Sequence, residues 1–402
     1  MKSCTDVEMI RAWNDANVMS TYVRPEPLFV RGQGTRLWDS KGKSYLDFVS
    51  GIAVCSVGHC HPKLSQAIAE QAAALIHVSN LYLTAPQAAL AKKLCEISGM
   101  KKVFFVNTGA EACETALKIA RKYSLSTKGS EAYEVITLGG SFHGRTYGSL
   151  TLTAQPKYQE PFGPMLPGVH YVPRNDIQAL RAKFNKNTAA IFIEPLQGES
   201  GIHVVTSEYL QEARRLCDEF GALLVCDEVQ CGMGRTGKWF GFEHSGVVPD
   251  LITMAKGLGG GVPIAAVLAG RLCADTLVPG DHGSTFAGNP LNATAALTVL
   301  DIIESENLIV NSQKTGEHLL IKLNELVDQG LPIVEVRGFG LMVAAELSKP
   351  IAKQVVKGCL AKGLILNATG DASIRILPAL TITPEEIDEG LGILAEVLKE
   401  IN

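Results

Sequence analysis

The stretch KKVFFVNTGAEACETALKIARKY, residues 101–123, joins an apolar strand pattern to an amphipathic helical pattern through a short polar turn. The same pattern, an apolar strand followed by a polar loop, recurs in YEVITLGG, AAIFIEP, ALLVCDE, DLITMAK and AAVLAG. Strands that are apolar on both faces and alternate with helices are typical of a mainly parallel sheet covered on both sides. We therefore predict an α/β fold whose ligands bind at the carboxyl ends of the strands.

The pattern changes after about residue 310, where strands and helices no longer alternate in that order. We predict a long helix over Val310–Gln329, two strands in IVEVRGFGLMVAAEL, a helix, the strands LILNA and SIRILP, and a last helix from Pro384. Near the N-terminus, RLWDSKGKSYLDFVSG predicts a hairpin with its turn at Asp39–Lys43. These patterns predict a large domain over residues 56–310 and a small domain formed by residues 1–55 and 311–402.

The composition is that of a globular protein with a large core, since 46% of the 402 residues are hydrophobic and 19% are charged. The net charge of -4 gives no electrostatic reason to expect a nucleic acid or an anionic membrane as partner. We expect no membrane span, because no apolar run approaches ~18 residues, and no signal peptide, because the N-terminal segment lacks an apolar run. The 10 cysteines contain no CxxC pair, which favours a reducing, cytoplasmic compartment.

Two charged residues end apolar strands in the middle of the chain. In PDLITMAKGLGGGVPIAAVLAG, residues 249–270, Lys256 follows an apolar run and precedes Gly259–Gly261. A lysine at a strand end can simply extend to solvent, but a desolvated amine beside a glycine-rich loop is suited to Schiff-base chemistry with a carbonyl ligand. Asp227 follows the apolar run of ALLVCDE, where it is a helix cap, a satisfied core acid, or the partner of a cation such as a protonated ring nitrogen.

Two loops that follow predicted strands carry candidate binding residues. Thr108 stands at the helix start in NTGAEACETALKIAR, where free N–H groups can bind an anion, although a plain N-cap with Glu111 explains the pattern as well. In GGSFHGRTYGS, Phe142 can stack on a planar ring and Arg145 can hold a carboxylate, or the loop is a solvated surface segment.

Two further short motifs contain small polar or metal-binding residue types. HGSTFAGNP offers Ser284 and Thr285 as candidate hydrogen-bond donors to an anion. GHCHP, residues 58–62, lacks the ligand spacing of a structural zinc site and has no partner pair elsewhere. We therefore predict no metal site.

Six motifs, NTGAEAC, FHGR, EPLQGE, LLVCDEVQCGMGRTG, KGLGGGVP and HGSTFAGNP, follow one another in a single order. Together they resemble the class III aminotransferases, which depend on pyridoxal 5'-phosphate, and the likeness runs from about residue 22 to the C-terminus. The resemblance implies fold type I, with a mainly parallel seven-stranded sheet in the large domain and a smaller α+β domain. It also implies a homodimer whose active sites are shared between subunits.

The resemblance implies a cofactor role for each matched residue. Lys256 would hold pyridoxal phosphate covalently and move a proton as general base and acid, and Asp227 would keep the ring nitrogen protonated; these two are the predicted catalytic residues. Phe142 would stack on the ring, Gln230 would reach its 3-hydroxyl oxygen, and Thr285 would donate to the phosphate across the dimer interface. The predicted cofactor-binding set is Thr108, Gly109, Ala110, Phe142, Asp227, Glu228, Val229, Gln230, Lys256 and Thr285.

The resemblance also implies substrate-binding residues and a ping-pong reaction. Arg145 would hold the α-carboxylate of the amino donor, and Arg375 would hold that of 2-oxoglutarate. Glu199 would pair with Arg375 while the donor is bound. Ser284 and Tyr22 complete the predicted substrate-binding set.

The amino donor is predicted from a closer likeness within the family, carried by VQCGMGRTG, by QPKY (155–158) and by LNA (366–368). It implies transfer of the terminal amine of N2-acetylornithine to 2-oxoglutarate, a step of arginine biosynthesis. Ile52 stands where ornithine-specific members have a tyrosine that binds the free α-amine, which favours an acetylated donor. Ornithine, GABA and succinyldiaminopimelate stay open as donors. An NAD-type α/β oxidoreductase is disfavoured by the missing GxGxxG motif, and an inactive binding protein by the intact set of candidate residues.

Overall fold

The computed structural model describes residues 6–401, so residues 1–5 and 402 of the predicted small domain lie outside the described residues. The helices are α1 Val7–Asn17, α2 Ser50–Ala53, α3 Pro62–Ala74, α4 Ala85–Ser98, α5 Gly109–Lys128, α6 Tyr147–Leu152, α7 Pro156–Gln159, α8 Ile177–Lys183, α9 Ser207–Phe220, α10 Pro290–Ser305, α11 Leu308–Asp328, α12 Ala352–Lys362 and α13 Pro384–Ile401. The strands are β1 Phe29–Gln33, β2 Arg36–Asp39, β3 Ser44–Asp47, β4 Lys102–Val106, β5 Glu134–Leu138, β6 Val169–Val172, β7 Thr188–Ile193, β8 Leu196–Gln197, β9 His203–Val204, β10 Leu223–Asp227, β11 Leu251–Met254, β12 Ala265–Ala269, β13 Ile333–Phe339, β14 Met342–Leu347, β15 Leu364–Ile365, β16 Asn367–Thr369 and β17 Ser373–Ile376.

A seven-stranded sheet forms the centre of the molecule, in the order β4-β12-β11-β10-β7-β5-β6. Strand β12 runs antiparallel to β11 and β4, whereas the pairs β11–β10, β10–β7, β7–β5 and β5–β6 are parallel. Every residue of β7 and β10 is buried, as expected for strands covered by helices on both faces. The prediction of a mainly parallel seven-stranded sheet is therefore confirmed.

The segments near the two ends of the chain form two smaller sheets. The predicted hairpin is present, since β2 and β3 pair antiparallel with Leu37 opposite Tyr45. Strand β15 pairs with β3 in parallel, which joins the C-terminal part of the chain to the N-terminal hairpin. The sheet β13-β14-β17-β16 packs against α11 and α12, and α13 packs on these two helices. The domain limits at residues 55/56 and 310/311 stay a prediction.

Local differences from the predicted elements have simple causes. Helix α1 is not predicted from its sequence, and none of its residues is buried in the structure. It is capped by Asp6, whose side chain accepts from the Met9 N–H. The predicted strand LILNA divides into β15 and β16, because its two halves join different sheets. Within residues 6–401, no helix combines the length and the apolar content needed to cross a membrane.

Candidate active site

A cavity of about 490 Å³ opens at the carboxyl ends of the central strands. This is the edge at which ligands bind in open α/β sheets. Most of the predicted site residues line it: Thr108, Gly109, Ala110, Phe142, Arg145, Glu199, Asp227, Val229, Gln230 and Lys256.

Asp227 and Lys256 lie beside each other because they end neighbouring strands. Strands β10 and β11 are parallel, with Asp227 opposite Thr253 in the register, three positions before Lys256. The residues between the two strands form turns and a short 3-10 helix, so no further strand separates them. The carboxylate and the amine therefore follow neighbouring strand ends and line the same cavity.

The Lys256 amine is suited to proton transfer. Lys256 opens a 3-10 turn after β11 with a φ of 41°, a left-handed conformation that costs energy for a residue with a Cβ and that is frequent at functional sites. Burial lowers the pKa of Lys256, and the nearby charge of Glu199 offsets only part of that effect. A larger fraction of neutral amine is therefore available to accept a proton or to attack a carbonyl.

Asp227 is held as a carboxylate by a buried hydrogen-bond network. Its Oδ2 lies 2.7 Å from His143 Nδ1 and accepts from the Cys113 thiol at 3.3 Å. Its Oδ1 accepts from the Val229 N–H at 3.0 Å. Burial alone pushes the pKa of Asp227 upward, but the hydrogen bond and charge of His143 outweigh it, so the pKa is lowered overall. His143 and Cys113 are functional neighbours that sequence reasoning missed, although both lie inside the quoted motifs.

Glu194 is a second buried acid that sequence reasoning missed, although it opens the motif EPLQGE. Its carboxyl accepts from the Phe142 N–H at 2.8 Å and from the Gly198 N–H at 3.4 Å. Burial raises the pKa of Glu194 to about 7, although the charge of His143 lowers it. This group therefore changes protonation near neutral pH at the wall of the cavity.

The start of helix α5 supplies an anion site. Thr108 caps the helix, since its Oγ1 accepts from the Glu111 N–H at 3.2 Å and Glu111 accepts from the Thr108 N–H at 3.0 Å. The first N–H groups of a helix have no partner within the helix, so those of Gly109 and Ala110 can bind an anion in the cavity. A Cβ at Gly109 would lie 2.9 Å from Val229 Cγ1, so only glycine allows this close approach.

Phe142 and Arg145 line one side of the cavity, and both contact Tyr158. The Phe142 ring meets the Tyr158 ring edge-on at 6.1 Å. The Arg145 guanidinium lies 3.9 Å from the centre of the Tyr158 ring and 5.4 Å from that of Phe142. These cation–π contacts hold an exposed cation at the cavity wall, where it can bind a carboxylate. Tyr158 belongs to QPKY, the signal from which this contact could have been predicted.

Arg375 lies behind the cavity, paired with Glu199. Its guanidinium donates to Glu199 Oε1 at 2.6 Å, to Gln230 Oε1 at 3.2 Å and to Asn367 Oδ1 at 2.8 Å. The Gln230 amide in turn donates to Glu199 at 3.0 Å, so the Gln230 side chain is hydrogen-bonded to both members of this ion pair. Burial raises the pKa of Glu199, but the charge of Arg375 outweighs that effect and lowers it. Asn367, from the motif LNA, is a further residue that was not predicted.

Two predicted residues face away from the cavity. The Glu228 carboxylate accepts the N–H groups of Gly241 at 2.8 Å and Phe242 at 2.9 Å, which stabilises a turn behind the sheet. Successive side chains at a strand end point in opposite directions, so Asp227 faces the cavity and Glu228 does not. Tyr22 is 73% exposed and lies outside the cavity of its own chain.

Ser284 and Thr285 also lie outside the cavity of this chain. Ser284 Oγ accepts from the side chain of Asn107 at 3.0 Å, and Asn107 lines the cavity. Thr285, the next residue of the same loop, is exposed. The role of Thr285 across a dimer interface stays a prediction.

The residues of the cavity fit pyridoxal phosphate. The helix start suits a phosphate, and the close approach of Val229 to Gly109 shapes a narrow slot. The Asp227 carboxylate accepts three hydrogen bonds out of about four that it can take, which leaves one for a protonated ring nitrogen. The amine of Lys256 lines the same space, within reach of a carbonyl carbon.

The candidate metal ligands are engaged with one another or with carboxylates. Among residues 6–401, Cys113, His143 and Asp227 place ligand atoms within 4.8 Å of one another, but these are the atoms of the buried hydrogen-bond network. In GHCHP, His59 lies 2.8 Å from Asp47, and His61 lies 3.2 Å from Glu306. The two histidines therefore serve different carboxylates.

Comparisons with known proteins place the chain among enzymes with this architecture. A family model described as aminotransferase class-III matches residues 19–398. The chain is 49% identical over 384 residues to an acetylornithine aminotransferase of Caldanaerobacter subterraneus subsp. tengcongensis, covering 96% of this chain and 98% of the relative. It is also 49% identical over 386 residues to that of Methanocaldococcus jannaschii, covering 95% and 96%.

Solved structures give the same picture. The ornithine aminotransferase from Toxoplasma gondii ME49 superimposes with a TM-score of 0.94 at 33% identity, covering 98% of this chain and 95% of that one. The acetylornithine aminotransferase from Elizabethkingia anophelis superimposes with a TM-score of 0.87 at 32% identity, covering 98% and 99%.

Proposed function

Because the chain belongs to the class III aminotransferases, we propose that it transfers the terminal amino group of N2-acetyl-L-ornithine to 2-oxoglutarate. The products are N-acetyl-L-glutamate 5-semialdehyde and L-glutamate, a step of arginine biosynthesis. The observation that carries the proposal is the 2.6 Å ion pair between Arg375 and Glu199 beside the exposed guanidinium of Arg145. Relatives named acetylornithine aminotransferase, at 49% identity over nearly the whole chain, support the acetylated donor.

The two arginines suit two substrates with different numbers of carboxylates. Acetylornithine has one carboxylate, which lies far from its terminal amine, so Arg145 binds it while Glu199 keeps Arg375 neutralised. 2-Oxoglutarate has two carboxylates, one of which is adjacent to its reacting carbon. Release of Arg375 from Glu199 supplies the second guanidinium, and bidentate Arg–carboxylate contacts then fix the acceptor at both ends.

The chain's own residues orient the reactants and move the proton. Pyridoxal phosphate, when bound, acts as the electron sink and carries the amino group from donor to acceptor. With the cofactor bound, Lys256 would take a proton from the terminal carbon of the donor as general base and give it to the cofactor as general acid, and its lowered pKa favours the neutral amine that the first step needs. Asp227 stays ionised and stabilises a protonated ring nitrogen, and Phe142 covers one face of the site.

The measurement that tests this proposal compares four amino donors, each with 2-oxoglutarate: acetylornithine, ornithine, GABA and succinyldiaminopimelate. We expect the highest kcat/KM with acetylornithine, since the apolar side chain of Ile52 offers no hydrogen bond to a free α-amine. Ile52 packs beside a buried apolar cluster that includes Leu377 and Met342. A higher kcat/KM with free ornithine would overturn the donor assignment and leave the aminotransferase chemistry in place.

We also propose that the protein works as a homodimer with shared active sites. The loop that carries Thr285 adjoins an exposed apolar surface, in which Leu83 is fully exposed and Phe286 is 62% exposed. Asn80 joins the two segments, since its side chain donates to the Ser284 carbonyl at 3.2 Å. An exposed apolar patch next to an active-site loop is typical of a subunit interface.

The cytoplasm is the proposed location. Free thiols at Cys113, Cys217 and Cys226 are buried in the core of the described chain. Unpaired cysteines are typical of proteins that work in a reducing compartment.

A further inference from the structure

The segment that precedes the motif GHCHP has an unusual backbone. Ser50, Gly51, Ile52 and Ala53 have φ values of 45°, 67°, 65° and 60°, so four successive residues are left-handed and only one is glycine. Left-handed conformations are disfavoured for residues with a Cβ, and a run of them persists only where the surroundings hold it in place.

The carboxylate of Asp47 holds the start of the turn. Its Oδ1 accepts from the Val49 N–H at 2.8 Å and from the Ser50 N–H at 3.0 Å. Its Oδ2 lies 2.8 Å from Nε2 of His59, on the far side of the turn. Asp47 is buried, so these bonds are protected from water and fix both ends of the segment.

One side of the turn is bound to the strand that carries Arg375. Ser50 Oγ donates to the carbonyl of Leu377 at 2.6 Å, and the Leu377 N–H donates to the carbonyl of Phe48 at 2.7 Å. Leu377 lies two residues after Arg375. The turn is therefore bonded to the residue at which the chain leaves β17, the strand that carries Arg375.

The other side is bound to the loop that carries Lys256. Ser56 is buried, and its Oγ donates to the carbonyl of Gly257 at 2.9 Å. The Leu380 N–H donates to the carbonyl of Ser56 at 2.8 Å, which adds a second link to the segment after β17. Residues 47–56 thus bridge the two parts of the chain that supply the amine and the guanidinium.

We propose that this bridge, residues 47–56, fixes the Arg375 guanidinium relative to the Lys256 amine and so serves the 2-oxoglutarate half-reaction selectively. The inference rests on the proposed function, in which the α-carboxylate on Arg375 is adjacent to the reacting carbon. That geometry requires a fixed separation between guanidinium and amine. The donor half-reaction does not, because its carboxylate is distant and Glu199 occupies Arg375. Ser50 and Ser56 are therefore positioning residues.

The test cuts the bridge at each end with Ser50→Ala and Ser56→Ala. In a ping-pong enzyme, kcat/KM for each substrate reports its own half-reaction. We expect kcat/KM for 2-oxoglutarate to fall about tenfold in either variant, as a misplacement of binding groups does, while kcat/KM for acetylornithine is unchanged. Each substitution removes one side-chain link and leaves the backbone bonds from Leu377 and Leu380 in place, so the double variant should lose at least as much as either single variant.

Ser245→Ala is the matched control. Ser245 is also buried and donates to a backbone carbonyl, that of Phe242, at 2.6 Å, but it links neither Arg375 nor Lys256. The dissociation constant of 2-oxoglutarate for the amine-loaded enzyme, taken from the concentration dependence of single-turnover rates, gives a readout that does not involve the donor. It should rise in Ser50→Ala and stay unchanged in Ser245→Ala.

Each other outcome decides against part of the account. An equal fall of both kcat/KM values, or variants that match Ser245→Ala, would overturn the bridge as a selective positioning device. A wild-type protein that binds no 2-oxoglutarate would overturn both the bridge and the acceptor assignment. A wild-type preference for another donor, with the selective loss for 2-oxoglutarate intact, would remove only the donor assignment and support the bridge.

Discussion

Replacing His143 with leucine tests the buried network that keeps Asp227 ionised. His143 Nδ1 lies 2.7 Å from Asp227 Oδ2, and both side chains are nearly inaccessible, at 0% and 4% exposure. In His143→Leu, the Asp227 carboxylate would keep only the Cys113 thiol and the Val229 N–H as donors. A buried carboxylate that loses its cationic partner becomes costly, and its pKa rises.

The size of the effect follows from that geometry. Breaking a buried ion pair by removing one partner costs ~3–5 kcal/mol. Because Asp227 retains two weaker donors, we expect the lower end, about 3 kcal/mol in the free energy of unfolding. His318→Leu is the matched control, since His318 and Asp388 lie 2.7 Å apart but are exposed. That exposed pair should contribute no more than ~1 kcal/mol.

The pH dependence of the free energy of unfolding, measured with urea on the cofactor-free protein, gives a second check. The pKa of His143 is raised in the folded protein. The contribution of His143 to the free energy of unfolding is therefore complete at pH values below its ordinary pKa, and it is lost as the pH rises through the folded-state pKa. The pKa of Asp227 is lowered in the folded protein. Its contribution to the free energy of unfolding is therefore complete at pH values above its ordinary pKa, and it is lost as the pH falls through the folded-state pKa. The difference between wild type and His143→Leu should be largest between about pH 4 and about pH 6.5. A difference as small as that of His318→Leu, or one that does not change with pH, would refute the reasoning.

Two further predictions concern the cavity wall. Burial raises the pKa of Glu194 to about 7 from 4.5, so the free energy of unfolding of the wild type should fall as the pH rises through that window. Burial also raises the pKa of Glu228 to about 7, so Glu194→Gln should reduce this slope in urea unfolding without abolishing it, and an unchanged slope would contradict the assignment. Gly109→Ala places a Cβ 2.9 Å from Val229 Cγ1, and overpacking of ~1–3 kcal/mol should weaken pyridoxal phosphate binding by roughly tenfold or more. Gly392→Ala is the control, because the new methyl group lies in open space. The affinity of each variant for pyridoxal phosphate is measured by equilibrium dialysis, and equal affinities would contradict the close fit at Gly109.

The site residues at strand ends could be predicted from the sequence, because a short apolar run that ends in a charged residue can be recognised locally. Asp227 and Lys256 each follow an apolar strand, and parallel neighbouring strands bring such residues to one edge of the sheet. Thr108 could be predicted as a cap from its spacing to Glu111, and the capping box is present.

The remaining parts depend on contacts between distant positions. His143 meets Asp227 across 84 residues, and Glu194 meets the Phe142 N–H across 52 residues, so neither pairing can be recognised in a single motif. The left-handed turn at Ser50–Ala53 was not predicted, because three of its four residues are types that disfavour that conformation. It is stabilised by tertiary hydrogen bonds rather than by local propensity.

The proposed function depends above all on covalent attachment of pyridoxal phosphate to Lys256 at this cavity. The most direct measurement is borohydride reduction of the holoenzyme, followed by peptide mass analysis. We predict that reduction abolishes the visible absorption band and leaves one pyridoxyl group on the peptide that contains Lys256, and none in Lys256→Ala. A pyridoxyl group on another lysine, or a protein that takes up no pyridoxal phosphate, would contradict the account.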